Sequence, residues 1–361
     1  MDKKRLEAIR SEIDAVDREL SMLLQKRMEL VSEVADYKRQ ANAEVLDEAR
    51  EQKVLENALS VVKNVDFTES IKASFESIMA HSREYQKKRL SSGQGLSKRY
   101  VLIGEHLSHS LSPVIHGLFF EKAGFMGSYD LLEVSRNELT GLLPRLKMEG
   151  YLGANVTIPY KTDIMRGLDD LSDEAIRVGA VNTITLENEC IGYNTDYNGF
   201  GRALDYYGVD LEGKACAVLG SGGSSRAVVS WLQDRGVSRI TIVTRDTGAA
   251  VLKYPGFQCM NIKEFSAQGY DLLVNTTPVG MWPKPDFSPL SKEQLQGAGF
   301  IMDLIYNPSE TLLMRFAKDL GIPSANGLYM LIAQGICAQE IWQDTIYSQE
   351  LVNSIYEEMK A

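Results

Sequence analysis

The first ninety residues contain neither glycine nor proline. They are rich in Glu, Lys, Arg, Leu and Ala, all of which favour helix, so this segment is predicted to be all-helical. Residues 91–98, SSGQGLSK, read as a short flexible linker. Beyond it glycine becomes frequent and strand-like runs alternate with helical ones. The composition changes sharply there, so a domain boundary is placed in the linker.

A chain of 361 residues suggests two or three domains. Its apolar share of 44% supplies ample core. No apolar run approaches the ~20 residues of a membrane span. The start, MDKKRLEAIRSEID, is charged and lacks a secretory apolar core, so we expect a cytoplasmic protein. The net charge is −10. Residues 1–92 hold 17 basic and 18 acidic side chains, and the rest hold 22 and 31. An acidic main body argues against nucleic acid or an anionic membrane as partner. It leaves an anionic small molecule open, because local charge sets a site. Cys190, Cys216, Cys259 and Cys337 show no metal or disulfide spacing. His106, His109 and His116 lie close together, but no Cys, Asp or Glu pattern completes a metal set, and none is expected.

In the helical segment, Leu6, Ile9, Ile13, Val16, Leu20, Leu23, Leu30, Val34 and Tyr37 follow alternating steps of three and four. That is a heptad-type seam on one long helix. Arg27 takes one place in it. A cation in an apolar seam is costly unless an anion meets it; a guanidinium that snorkels or pairs with a carboxylate is the plainer alternative. Lys38 lies almost three whole turns after Arg27, on the same side. Arg10 lies about 100° away around the helix and ~25 Å back along it. One straight helix cannot bring Arg10 and Lys38 to one small ligand, but a second copy packed antiparallel can. Asp47, Arg50 and Glu51 share a helical face, as do Ser82 and Gln86. The array suits a compact dianion.

The stretches IRSEIDAVDREL, QKRMEL, VADYK, VLDEAREQKVL and SREYQ recur here in the order and spacing of the all-helical chorismate mutases, which residues 5–90 resemble. The resemblance implies that the partner subunit's Arg10, with Arg27 and Arg50, grips the carboxylates of chorismate. It implies that Lys38 and Gln86 bond the ether oxygen, while Asp47, Glu51 and Ser82 orient the ring hydroxyl and the cations. It further implies a homodimer. The rearrangement to prephenate is intramolecular, so holding the reactive conformer and meeting the charge on the ether oxygen suffice. A degenerate mutase fold that senses a ligand or only dimerises, and an unrelated bundle with solvated charges, are the alternatives.

In the second part, KACAVLGSGGSSRAVVSWL (214–232) is an apolar strand, a glycine-rich turn and a helix. Gly220 and Gly222 permit the tight turn and the approach of a pyrophosphate to the helix N-terminus. Ser225 stands where a third glycine is usual. The next strand, RITIV (239–243), ends in Thr244-Arg245-Asp246. A guanidinium at that place suits a 2′-phosphate and points to NADP; Asp246 leaves room for NAD. No second cation follows within a few positions.

Four further motifs are SHSLSP (108–113), NVTIPYK (155–161, with Lys161 opening a helix), GAVNT (179–183) and YNTD (193–196). Together they resemble the shikimate dehydrogenase family across residues 99–345. The resemblance implies a catalytic pair in Lys161 and Asp196. It implies that Ser110, Ser112, Thr157, Asn182, Tyr306 and Gln334 bind the substrate's hydroxyls and carboxylate. Gly220, Ser221, Gly222, Gly223 and Ser224, with Thr244 and Arg245, would hold the cofactor. Asn275-Thr276-Thr277-Pro278, Leu304 and Gly327 would lie on the nicotinamide side. A lysine beside a carboxylate suits ketone reduction, since it can protonate the oxygen as hydride reaches the carbon. A quinate-type dehydrogenase using NAD, and a pathway sensor without turnover, are the rivals.

The expected fold is therefore multi-domain. An all-α chorismate mutase-like domain (1–90) precedes an α/β shikimate dehydrogenase. In the latter, residues 99–200 plus 325–361 form a substrate domain and 201–324 a Rossmann-type NADP domain. The expected activities are NADPH-dependent reduction of 3-dehydroshikimate to shikimate and rearrangement of chorismate to prephenate.

Overall fold

The computed structural model describes residues 3–40, 45–91 and 98–360. The linker read at 91–98 thus lies mostly outside the described residues. The chain divides into two compact units, Met1–Ser97 and Lys98–Ala361.

The first unit is helical. Helix α1 runs Lys3–Gln40, α2 Glu48–Ser60 and α3 Thr68–Ser91. The breaker-free sequence lets α1 run 38 residues without interruption. Helix α3 packs against both α1 and α2. Little of the seam is covered by the single chain: Ile13, Val16, Leu23, Leu30 and Tyr37 are 53–70% exposed.

The second unit holds two sheets. The first comprises β1 (Lys98–Gly104), β2 (Gly127–Glu133), β3 (Tyr151–Val156), β4 (Asp170–Leu171), β5 (Thr183–Thr185) and β6 (Ile191–Tyr193), in the order β2-β1-β3-β5-β6-β4. Strands β1, β2 and β3 are parallel, whereas β5 runs antiparallel to both β3 and β6. Helices α4 (Ser112–Lys122), α5 (Leu142–Met148) and α6 (Asp173–Val178) belong to this half, and α7 (Thr195–Tyr206) leads out of it.

The second sheet is wholly parallel. It contains β7 (Ala215–Leu219), β8 (Arg239–Thr244), β9 (Gln258–Asn261), β10 (Leu272–Asn275), β11 (Phe300–Asp303) and β12 (Ser324–Ala325), in the order β12-β11-β10-β7-β8-β9. Helices α8 (Gly223–Asp234), α9 (Thr247–Lys253) and α10 (Leu312–Asp319) are its crossovers. Strand β7 is buried along nearly its whole length, which is why it reads as an uninterrupted apolar run rather than an alternating one. The strand order reverses between β7 and β10, the switch point where doubly wound sheets hold ligands.

The chain then returns to the first sheet through α11 (Leu328–Gln343) and α12 (Gln349–Lys360). Helix α11 packs on α7, α4, β3 and β5. Trp342 donates to the Ile184 carbonyl at 2.9 Å. Its ring lies over Gly153, where a Cβ would come within 2.2 Å of Nε1. Among the described residues no helix is long and apolar enough to cross a membrane.

Candidate active sites

The carboxyl ends of β1, β3 and β11 face a cavity of about 370 Å³. One wall carries Ser110, Ser112, Thr157, Lys161, Asn182 and Asp196; Tyr306, Leu304, Gly327, Ser224 and Gln334 also line it. The predicted substrate residues, distant in sequence, are thereby brought together. Lys161 sits in a turn after β3, and a short 3₁₀ helix, Ile164–Gly167, follows; the helix expected to open at Lys161 is not there, because the chain turns through Pro159 first.

Lys161 Nζ stands 2.5 Å from Asp196 Oδ2, both side chains mostly buried. Asp196 lies in the first turn of α7, whose N-cap Asn194 accepts from the Tyr197 amide. Its other oxygen, Oδ1, accepts from Asn182 Nδ2 at 2.9 Å. Asn182 is fixed in turn, since its Oδ1 accepts from the Thr195 amide at 2.7 Å and from Thr183 Oγ1 at 3.0 Å. Behind it, Asn155 donates to the Asn182 carbonyl and to Thr183 Oγ1, and accepts from the Tyr129 hydroxyl at 2.7 Å. Lys161, Asp196, Asn182 and Asn155 are thus each oriented by another polar group. Gln334 is placed by the close approach of α7 and α11: a Cβ on Gly199 would come 2.7 Å from its own Cβ. Burial pushes the Tyr306 phenol up from its ordinary value.

The three clustered histidines part company here. His106 and His109 line the cavity. His116 is buried, stacked on Tyr129 with ring centroids 3.9 Å apart, and its Nδ1 accepts from Gln339 Nε2 at 2.8 Å. Burial pushes its imidazole down to about 3, so it is a neutral packing group.

On the second sheet, Gly220 ends β7 with φ +102°, and a Cβ there would lie 2.9 Å from Thr276 Oγ1 and Thr277 Cγ2. Only glycine fits. A Cβ on Gly222 or Gly223 would meet nothing within 4 Å, so the loop is open on that side. Helix α8 begins there without a side-chain cap, leaving its leading amides free for an anion. Ser225, in place of the third glycine, is fully buried, and its hydroxyl bonds the Gly222 carbonyl and the Tyr254 hydroxyl. Thr244 and the exposed Arg245 stand at the end of β8. Asp246 is the N-cap of α9, and one oxygen of its carboxylate accepts from the Ala249 amide. Asn275 and Asp303, ending neighbouring strands, bond each other at 2.9 Å. An open glycine loop, an uncapped helix start and a free guanidinium fit a dinucleotide carrying an extra phosphate.

In the helical unit, Arg27 Nη1 donates to Ser82 Oγ at 2.6 Å. Burial pushes the Arg27 guanidinium down from its ordinary value. Lys38 donates to the Val45 carbonyl at 2.6 Å. Gln86 is buried, and its Oε1 finds no partner among the described residues, which is costly for a buried acceptor unless another group meets it. Arg10 and Arg50 are exposed. Asp47 caps α2, accepting from the Arg50 amide through one oxygen, and Glu51 pairs with Arg83 through one of its own.

Comparison with known proteins gives a family match in each part of the chain. Residues 102–184 match the shikimate dehydrogenase substrate binding domain and residues 9–87 the chorismate mutase type II family. A shikimate dehydrogenase (NADP(+)) from Clostridium beijerinckii is 41% identical over 259 residues, covering 71% of this chain and 96% of that protein.

The chain belongs to the shikimate dehydrogenase family.

Ahead of its dehydrogenase part it carries a chorismate mutase type II domain. Among solved structures, a chorismate mutase/shikimate 5-dehydrogenase fusion protein from Clostridium acetobutylicum aligns with a TM-score of 0.72 at 40% identity, over 73% of this chain and 97% of that one. A shikimate 5-dehydrogenase from Thermus thermophilus, in complex with NADP(H) and shikimate, aligns at 0.66 and 34%, over 72% and 99%. Within the dehydrogenase, sequence reasoning gave no role to Asn155, although it opens the motif that ends in Lys161. Nor did it find Lys253, whose amine reaches the carbonyls of Ser221 and Gly222 from the end of α9.

Proposed function

We infer that this chain is a bifunctional enzyme of aromatic amino-acid biosynthesis. It reduces 3-dehydroshikimate with NADPH and rearranges chorismate to prephenate. The convergence of Lys161, Asp196, Asn182, Thr157, Ser110 and Gln334 on one cavity carries the first activity. Bound NADPH supplies the hydride. The chain supplies the proton: Lys161 Nζ gives it to the carbonyl oxygen and regains one from solvent. Asp196 holds that ammonium in place. Ser110, Ser112, Thr157, Asn182, Tyr306 and Gln334 bind the ring hydroxyls and carboxylate. Gly220–Ser224, Thr244 and Arg245 hold the dinucleotide, with Leu304 and Gly327 on its nicotinamide side. Oxidation of NADPH dependent on 3-dehydroshikimate, by the purified chain, tests this; no turnover with either nicotinamide cofactor would exclude it.

For the second activity, Arg27, Arg50 and the partner subunit's Arg10 hold the two carboxylates of chorismate. Lys38 and Gln86 face the ether oxygen, and Ser82 orients Arg27. Asp47 and Glu51 orient the ring hydroxyl and the cations. A homodimer through α1 accounts for the exposed seam, since a stripe of that many large apolar side chains marks an interface. A cytoplasmic location accords with four free cysteines.

A further inference from the structure

The cofactor strand ends on a single cation, Arg245, with no second one in the next few positions. The fold supplies another. Helix α9 starts at the Asp246 cap, and its last residue, Lys253, comes back to the glycine-rich loop. There its ammonium donates to the Ser221 carbonyl and, at 3.3 Å, to the Gly222 carbonyl. Burial pushes this amine down from its ordinary value, the charge of Arg226 adds to the effect, and no carboxylate offsets it. Arg226 is itself tied to the Gly179 carbonyl at 3.1 Å. The Lys253 ammonium thus meets the loop through backbone carbonyls alone among the described residues.

Partly burying an ammonium without a carboxylate partner is costly in the free protein. Backbone carbonyls carry only partial charge, so a phosphate would bind the ammonium better. The place of Lys253 selects which phosphate. The pyrophosphate belongs at the start of α8, beyond Gly222. Lys253 approaches from the other flank, from the element that follows β8, where the adenosine ribose of a dinucleotide lies. The acid of that segment, Asp246, has one carboxylate oxygen engaged with the Ala249 amide.

We propose that Lys253 is the second cation for the 2′-phosphate of NADP, leaving the Ser221 and Gly222 carbonyls to pair with it beside Arg245. It is therefore a specificity-determining residue for the choice of NADP over NAD. The inference rests on the dehydrogenase reading above.

The test is equilibrium binding to the full chain by titration calorimetry, with NADP⁺, NAD⁺, adenosine 2′,5′-bisphosphate and 5′-ADP as probes. Wild type is compared with Lys253→Met, which keeps the apolar stem, and Lys253→Arg. Lys253→Met is expected to weaken NADP⁺ and adenosine 2′,5′-bisphosphate about 10- to 100-fold, to leave NAD⁺ and 5′-ADP unchanged, and to be largely rescued in Lys253→Arg. Equal weakening of all four would make Lys253 a brace for the loop and overturn the proposal, as would no change in any. Wild type that binds NADP⁺ no better than NAD⁺ would overturn the NADP reading itself, a failure visible before any variant is made.

Discussion

Lys161 Nζ and Asp196 Oδ2 stand 2.5 Å apart, held there by segments 35 residues apart in the chain. The remaining carboxylate oxygen is held by Asn182, so the pair has one geometry. Lys161→Ala removes the proton donor and leaves most of the substrate contacts. Reductase kcat is expected to fall about 10²–10⁴-fold with a smaller change in KM, measured by steady-state NADPH oxidation. Near-normal turnover would refute the assignment.

Arg27 has one hydrogen-bonding hydroxyl, Ser82, fixing it in the helical unit. Arg27→Ala should lower chorismate turnover by about 10²-fold or more while shikimate oxidation in the same sample stays unchanged. Unaltered chorismate turnover would remove Arg27 from the site.

Gly327 opens α11 against the backbone of Leu304. A Cβ there would lie 2.0 Å from the Leu304 carbonyl oxygen, which is backbone and cannot swing aside. Gly327→Ala should therefore displace the end of β11 or the start of α11. We expect a lower melting temperature, by an amount equivalent to about 1–3 kcal/mol, with weakened dinucleotide binding. A variant with wild-type stability and affinity would show that the close approach is dispensable.

His116 gives the dehydrogenase unit a pH dependence of definite sign. Its folded value, about 3, lies below the unfolded 6.5. Unfolding then takes up a proton between those limits. The contribution of neutral His116 is complete above pH 6.5 and is lost as pH falls toward 3. One proton corresponds to about 1.4 kcal/mol per pH unit. Denaturant midpoints of His116→Gln should fall less steeply with acid than those of wild type across that window. Parallel slopes would mean that His116 is protonated in the folded protein.

Much of this architecture was legible because it rests on local rules. Ninety residues without a breaker gave the long helix, and the uninterrupted apolar run before Gly220 gave the central strand. Arg27 stood out by interrupting a seam, and the structure bonds it to Ser82. What stayed hidden depends on where chain segments return. Asp246 read as a possible ribose ligand, since its role as a cap shows only in the geometry of α9. The capping role of Asp47 likewise shows only in the geometry of α2. Lys253 lies eight positions past Arg245, and only the turn of α9 brings it back to the loop. Asn155, Tyr129 and His116 form a buried polar chain that no spacing rule joins.

The central claim is that one chain carries two working enzymes, and chorismate disappearance measured across a dilution series tests it most directly. Shikimate-dependent NADP⁺ reduction in the same tubes reports intact protein. We predict saturable chorismate turnover whose rate per chain falls on dilution as the α1 dimer dissociates, while the dehydrogenase rate per chain holds. Absence of chorismate turnover at every concentration, with dehydrogenase activity intact, would contradict the account and leave the helical unit a dimeriser or ligand sensor.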